Sequence, residues 1–417
     1  MRKVAGLALI PLLSLCACSG GGSSGLGSSS STSSTQVIAS PAANVVTIEV
    51  DGGPAVLPSP DVNTAFVTLT VCQPGSTTNC ESVPYIVVDT MSYGLRLVYG
   101  ALSASFAATL PQQMAGTLPV AECVSFAIGY SWGSVRTADI TISGETASSI
   151  PIQMIGDPAF PNVPTTCSSS VPTEEDTVAT FGANGILGVG PFVQDCGDAC
   201  AQSAIAGTYY TCASNGASCN PVIQPTDLQV SNPVAAFATD NNGVIVELPP
   251  VAESGALSAT GALVFGIGTE SNNGLNGATV LSSDPTSGQI SAVFNGTTYP
   301  ESFIDSGSNA FYFVDSSILP CGQDTVAPGA FCPTSTESLS VELMGENGAS
   351  VTTGFEVGNA VDLLDDNPTA TAFPDIGVPN TNTESFDAGL PFFYGRNVFT
   401  AIAGASTPGG TGPYVAY

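Results

Sequence analysis

From position 36 onward the chain alternates short apolar runs with turn-forming residues. Val45-Val46-Thr47-Ile48-Glu49-Val50 and Phe66-Val67-Thr68-Leu69-Thr70-Val71 alternate or run apolar and are bounded by Gly, Pro and Asn. That pattern predicts strands with one face buried. Val124 to Gly133, Val135 to Ile142, Ile150 to Ile155, Val244 to Leu248, Leu263 to Phe265 and Ser338 to Phe355 read the same way. No stretch keeps a long helical period with caps, although Ala101 to Ala115 has room for one short helix. With 46 Gly and 31 Pro as punctuation, the pattern predicts an all-β protein. Its 417 residues exceed one ordinary core and predict two β lobes, 36–250 and 251–417.

The first residues follow a different rule. Arg2 and Lys3 precede an apolar run, Val4 to Leu15, that is too short for a stable bilayer anchor. It ends in Leu15-Cys16-Ala17-Cys18, which resembles a bacterial lipobox with Cys18 as the lipidated residue. Residues 1–18 are then a lipoprotein signal peptide; the alternative is an ordinary secretory signal cleaved nearby. Residues 19–35 are almost wholly Gly and Ser, a flexible tether. No Asp follows Cys18, and resemblance to sorted bacterial lipoproteins implies export and lipid anchoring at the outer membrane, on its periplasmic face or at the cell surface.

Charge removes several classes of function. There are 34 acids, no His, and only Arg96, Arg136 and Arg396 as cations beyond the first residues. Phosphate contacts need clustered cations, so nucleic acid is excluded as a partner. An anionic membrane surface would repel the domain, which leaves the lipid as its only membrane contact. Ser-His-Asp and Cys-His catalysis are excluded, and the commonest metal ligand is missing. The expectation is a chain with no cofactor and no metal site.

The 12 cysteines include Cys16 and Cys18 of the leader; the even remainder in an exported chain reads as disulfides. Nearness along the chain pairs Cys72–Cys80, Cys196–Cys200, Cys212–Cys219 and Cys321–Cys332, leaving Cys123–Cys167. Spacing alone does not fix that connectivity. Cys196 to Cys219 has no strong periodicity and reads as a surface excursion.

Two stretches share an unusual plan. Ile86-Val87-Val88-Asp89-Thr90-Met91-Ser92-Tyr93-Gly94 and Phe303-Ile304-Asp305-Ser306-Gly307-Ser308-Asn309 each run apolar into one acid and then turn through small or polar residues. An acid at the end of a buried strand is costly unless it is hydrogen-bonded or functional. The pair resembles the two Asp-Thr/Ser-Gly loops of pepsin-like aspartic peptidases. Asn184-Gly185-Ile186-Leu187-Gly188 resembles the segment that passes under the first loop. Leu390-Pro391-Phe392-Phe393-Tyr394-Gly395-Arg396-Asn397 resembles the one under the second. Tyr130 matches the Tyr of the closing flap hairpin, with Trp132 beside it. The sequence between these segments looks like a bacterial lipoprotein family without assigned function.

That resemblance implies a bilobal acid-protease fold and an Asp89/Asp305 dyad that hydrolyses peptide bonds. It implies that the Thr90 and Ser306 hydroxyls cross-link the loops, that Ser92 and Ser308 hydrogen-bond the aspartate oxygens, and that Gly307 gives the second loop its close backbone approach. The partner would be a peptide or protein in the cleft of a monomer. One departure stands out: Met91 replaces the Gly of the first loop. The alternative is therefore an inactive pepsin-like surface lipoprotein that binds peptide or glycan without turnover.

Overall fold

A computed structural model describes residues 38–417 except positions 170, 172, 214, 215 and 217. The expected signal peptide, the expected lipidation residue Cys18 and the expected tether lie outside the described residues.

The chain is all-β. A large sheet crosses the whole molecule, and its middle joins the two halves. Val45–Val50 pairs antiparallel with Ala65–Cys72 on one side and with Ala259–Phe265 on the other. Ala259–Phe265 pairs with Gly243–Leu248, which pairs with Arg396–Ala401. Ile48, Val50, Leu263, Val246 and Val398 are buried there, as the apolar alternation predicts. A second sheet, in the later half, runs from Ser350–Val357 through Ile290–Phe294 and Thr297–Ile304 to Gly377–Pro379. The predicted short helix is Ala104–Ala107, begun by the Ser103 hydroxyl, which accepts from Phe106 N–H.

The two halves repeat one local plan. Cys80–Asp89 leads into the first Asp loop and Tyr93–Val98 leads out. Gly185–Val189 lies between them, parallel to the incoming strand and antiparallel to the outgoing one. The outgoing strand then pairs parallel with Glu145–Ile155. In the later half Thr297–Ile304 leads into the second loop and Phe311–Phe313 leads out. Asp387–Ala388 lies between those strands with the same two senses, and Phe311–Phe313 pairs parallel with Gly377–Pro379.

That register corrects one expectation. The segment under the second loop is Asp387-Ala388-Gly389, not Leu390 to Asn397. Leu390–Phe393 is a 3-10 turn and Arg396–Ala401 a strand of the large sheet. The two bracing glycines mark the correct alignment. A Cβ on Gly188 would lie 2.6 Å from Tyr93 N, and one on Gly389 would lie 2.6 Å from Ser308 O. Each loop's backbone crosses where only Gly leaves room.

The five cysteine pairs are Cys72–Cys80, Cys123–Cys167, Cys196–Cys200, Cys212–Cys219 and Cys321–Cys332. The cysteine-rich segment is not a surface excursion. Tyr209–Cys212 extends the large sheet beside Leu118–Ser125, and Tyr209, Tyr210 and Cys212 are buried.

Candidate active site

Each aspartate ends its strand because the next residues turn back to hydrogen-bond it. Asp89 Oδ1 accepts from Met91 N–H and Ser92 N–H, both at 2.8 Å. Asp305 Oδ1 accepts from Gly307 N–H at 2.8 Å, and Asp305 Oδ2 accepts from the Ser308 hydroxyl at 3.0 Å. Asx turns of this kind give a buried carboxylate its donors locally.

The loops are bolted to each other. The Thr90 hydroxyl donates to Ile304 O at 3.2 Å and accepts from Ser306 N–H at 3.0 Å. The Ser306 hydroxyl donates to Val88 O at 2.7 Å. All of these groups are buried, so each bond is made without competition from water. The result sets Asp89 against the second loop: a Cβ on Gly307 would lie 2.6 Å from Asp89 Cγ. Gly307 is thus required by the partner loop's carboxyl. Asp89 and Asp305 are each 1% exposed. Burial pushes the Asp305 pKa well above the usual carboxylate range, and the charges of Asp89 and Asp387 push it further. Two carboxyls this close cannot both ionise easily.

Two cavities are lined by residues next to the aspartates in both Asp loops. One, of about 270 Å³, is lined by Val87, Gly307, Asn309, Ile128 and Phe181. The other, of about 870 Å³, is lined by Phe303, Met91, Tyr93, Phe192 and Asp195. Val87 and Phe303 hold equivalent places before the two aspartates, as Gly307 and Met91, and Asn309 and Tyr93, do after them. Met91 does not displace the loop: its N–H reaches Asp89 as Gly307 N–H reaches Asp305. Its side chain faces the larger cavity.

Three expected roles change. Ser92 serves Asp89 through its N–H; its hydroxyl is buried and has no partner among the described residues. Tyr130 and Trp132 line neither of these two cavities. Both are buried with Phe160, Cys167 and Tyr210, where Trp132 Nε1–H donates to Phe160 O at 2.9 Å and the Trp132 and Tyr210 rings meet edge-on at 5.5 Å. The residue of that hairpin that lines a cavity is Ile128, at its tip.

Other residues near the site escaped sequence reasoning. Arg96, 2% exposed, bridges Glu122 at 2.7 Å and Asp195 at 2.8 Å, and its Nη1 donates to Tyr93 O at 2.5 Å. The Tyr209 hydroxyl donates to Asp195 at 2.7 Å. Burial pushes Glu122 well above the usual carboxylate range, against the pull of Arg96. Burial also raises the Tyr93 pKa, followed by the charges of Asp89 and Asp305. Asp387, 1% exposed and on the strand paired with the one that leads into Asp305, is another. Its only sequence signal is an acid two residues before a bracing Gly, legible once Gly389 is aligned with Gly188.

The family model described as "Protein of unknown function (DUF3443)" matches residues 40–417. Among solved structures, the chain is similar to the aspartic proteinase from Irpex lacteus at 15% identity and a TM-score of 0.47, over 90% of this chain and 96% of that one. No curated protein matches the sequence.

Proposed function

We propose that this protein, which belongs to the DUF3443 family, is an aspartic endopeptidase held at the outer membrane by a lipid on Cys18. The observation that carries the reading is the cross-linked pair of loops, which sets two buried carboxyls together beside two cavities. Asp305, whose pKa is raised, holds the shared proton and donates it to the oxyanion that forms on the peptide carbonyl. Asp89, with two amide N–H groups on Oδ1, acts as the carboxylate that takes a proton from the attacking water. Peptide on either side of the cleaved bond would occupy the two cavities. Met91, facing the larger one, gives weight to a second reading, a binding scaffold without turnover.

The test is cleavage of denatured casein and a peptide library by the mature chain in detergent, from pH 3 to 7. Asp89→Asn and Asp305→Asn are each expected to lose at least about 10³-fold in kcat/KM, and a transition-state mimic of the pepstatin type is expected to block the wild type. Folded wild-type protein that cleaves nothing, yet retains peptide at equilibrium, would move the reading to the scaffold.

A further inference from the structure

In the first lobe the bracing strand sets Ile186 opposite Val87. In the second lobe the same register sets Asp387 opposite Phe303. An acid therefore stands where the plan calls for an apolar side chain, at 1% exposure. Such an acid costs stability unless it acts. Its position is fixed from three sides. Asp305 N–H donates to Ala388 O at 3.0 Å, Leu390 N–H donates to Ser308 O at 2.6 Å, and Tyr312 is its neighbour on the outgoing strand. The Ser308 hydroxyl, which donates to Asp305, also faces Asp387.

The titratable groups that face Asp387 are Asp305 on the second loop, Asp89 on the first and Tyr312 on the adjacent strand. All are acids. The cations are held elsewhere: Arg96 by Glu122 and Asp195, Arg136 by Asp157, and Arg396 on the Phe392 ring at 4.6 Å.

We propose that Asp387 is a positioning residue of the dyad, a third buried carboxyl packed against the second loop that helps Asp305 keep the working proton toward neutral pH. The inference rests on the peptidase reading above. The charge of Asp387 opposes a charge on Asp305, so Asp305 releases its proton at a higher pH than it would beside Asp89 alone. Burial raises the Asp387 pKa well above the usual range, with Asp89 adding to it and Ser308 opposing it. The third carboxyl thus moves the alkaline limb of the rate profile upward.

The test compares wild type with Asp387→Asn, which keeps the shape, and Asp387→Ile, which copies the first lobe. Thermal unfolding first establishes that at least one variant is folded. At pH 6.5 each folded variant is expected to lose roughly tenfold in kcat/KM, with less than about threefold change at pH 4. Superimposable profiles, or a uniform loss at every pH, overturn the inference. A wild type that cleaves nothing sinks the peptidase reading instead. The infrared carbonyl band that disappears in Asp305→Asn then decides the question. It should vanish at lower pH in Asp387→Asn than in wild type; an unmoved midpoint overturns the inference.

Discussion

On the strand leaving the first Asp loop, Arg96 stands opposite Ile186; on the strand leaving the second, Tyr312 stands opposite Asp387. Each supports the equivalent loop residue: Arg96 Nη1 donates to Tyr93 O at 2.5 Å, and the Tyr312 hydroxyl donates to Asn309 Oδ1 at 2.8 Å. The first lobe meets some of its inward acids with cations, Arg96 for Glu122 and Asp195, and Arg136 for Asp157 at 2.8 Å. The second lobe gathers Asp305, Asp375 and Asp387 inside, and its arginine lies on the Phe392 ring. The same strand plan therefore carries arginine–carboxylate pairs in the first lobe and three buried aspartates in the second. What the plan demands is narrow: the aspartate, its amide donors, the cross-linking hydroxyls and the bracing Gly. Everything one side chain further out is free to differ.

The sharpest way to break that comparison is to give the second loop what the first has. Gly307→Met is expected to abolish cleavage, by about 10³-fold or more, because its Cβ would lie 2.6 Å from Asp89 Cγ. Kinetics on protein whose folding is checked by circular dichroism would show it; activity near wild type would mean that the loops separate freely. Removing the first lobe's cation comes next. Arg96→Met leaves Glu122 and Asp195 buried together and is expected to cost about 3–5 kcal/mol in urea unfolding at pH 7. The loss should shrink at pH 4.

The second lobe should make stability fall as pH rises. Burial, with Glu356 and Glu253 nearby, pushes Asp375 up to about 7. A raised folded pKa stabilises most below the unfolded value, about 4, and that contribution is lost as pH climbs through the folded value. Asp375→Asn should remove this slope between about pH 4 and 7 and recover up to about 4 kcal/mol above it, seen as a higher Tm. The smallest effect separates the two serines. Ser308→Ala removes a hydroxyl that donates to Asp305 and should lower kcat/KM by about tenfold. Ser92→Ala removes one that serves no described group and should change it less than about twofold. Equal effects would mean that Ser92 turns to Asp89 when substrate binds.

Local pattern carried much of the molecule. The strands Val45–Val50 and Ala65–Cys72 follow from period-two alternation between turn residues. The two Asp loops were visible because an acid directly after apolar residues is costly and rare. Asp387 was missed because the apolar run Leu390 to Phe399 is the louder signal, and an Asp-Ala-Gly triplet looks like a turn. Tyr130 was misplaced for a related reason. A tyrosine on a hairpin has two faces to choose from, and the large sheet turned it inward against Trp132 and Tyr210. Arg96 sits in the apolar-looking run Gly94-Leu95-Arg96-Leu97, and nothing local names Glu122 or Asp195 as its partners.

By itself the sequence determined the β texture, the two carboxyl-bearing loops and the scarcity of cations, because each is written in adjacent residues. Only the tertiary structure decided that Asp387 stands beside Asp305, that Arg96 serves two acids, and that Met91 faces a cavity without disturbing Asp89. Those outcomes depend on strand register between segments far apart in the chain. A shift of one residue in such a pairing turns every side chain to the opposite face.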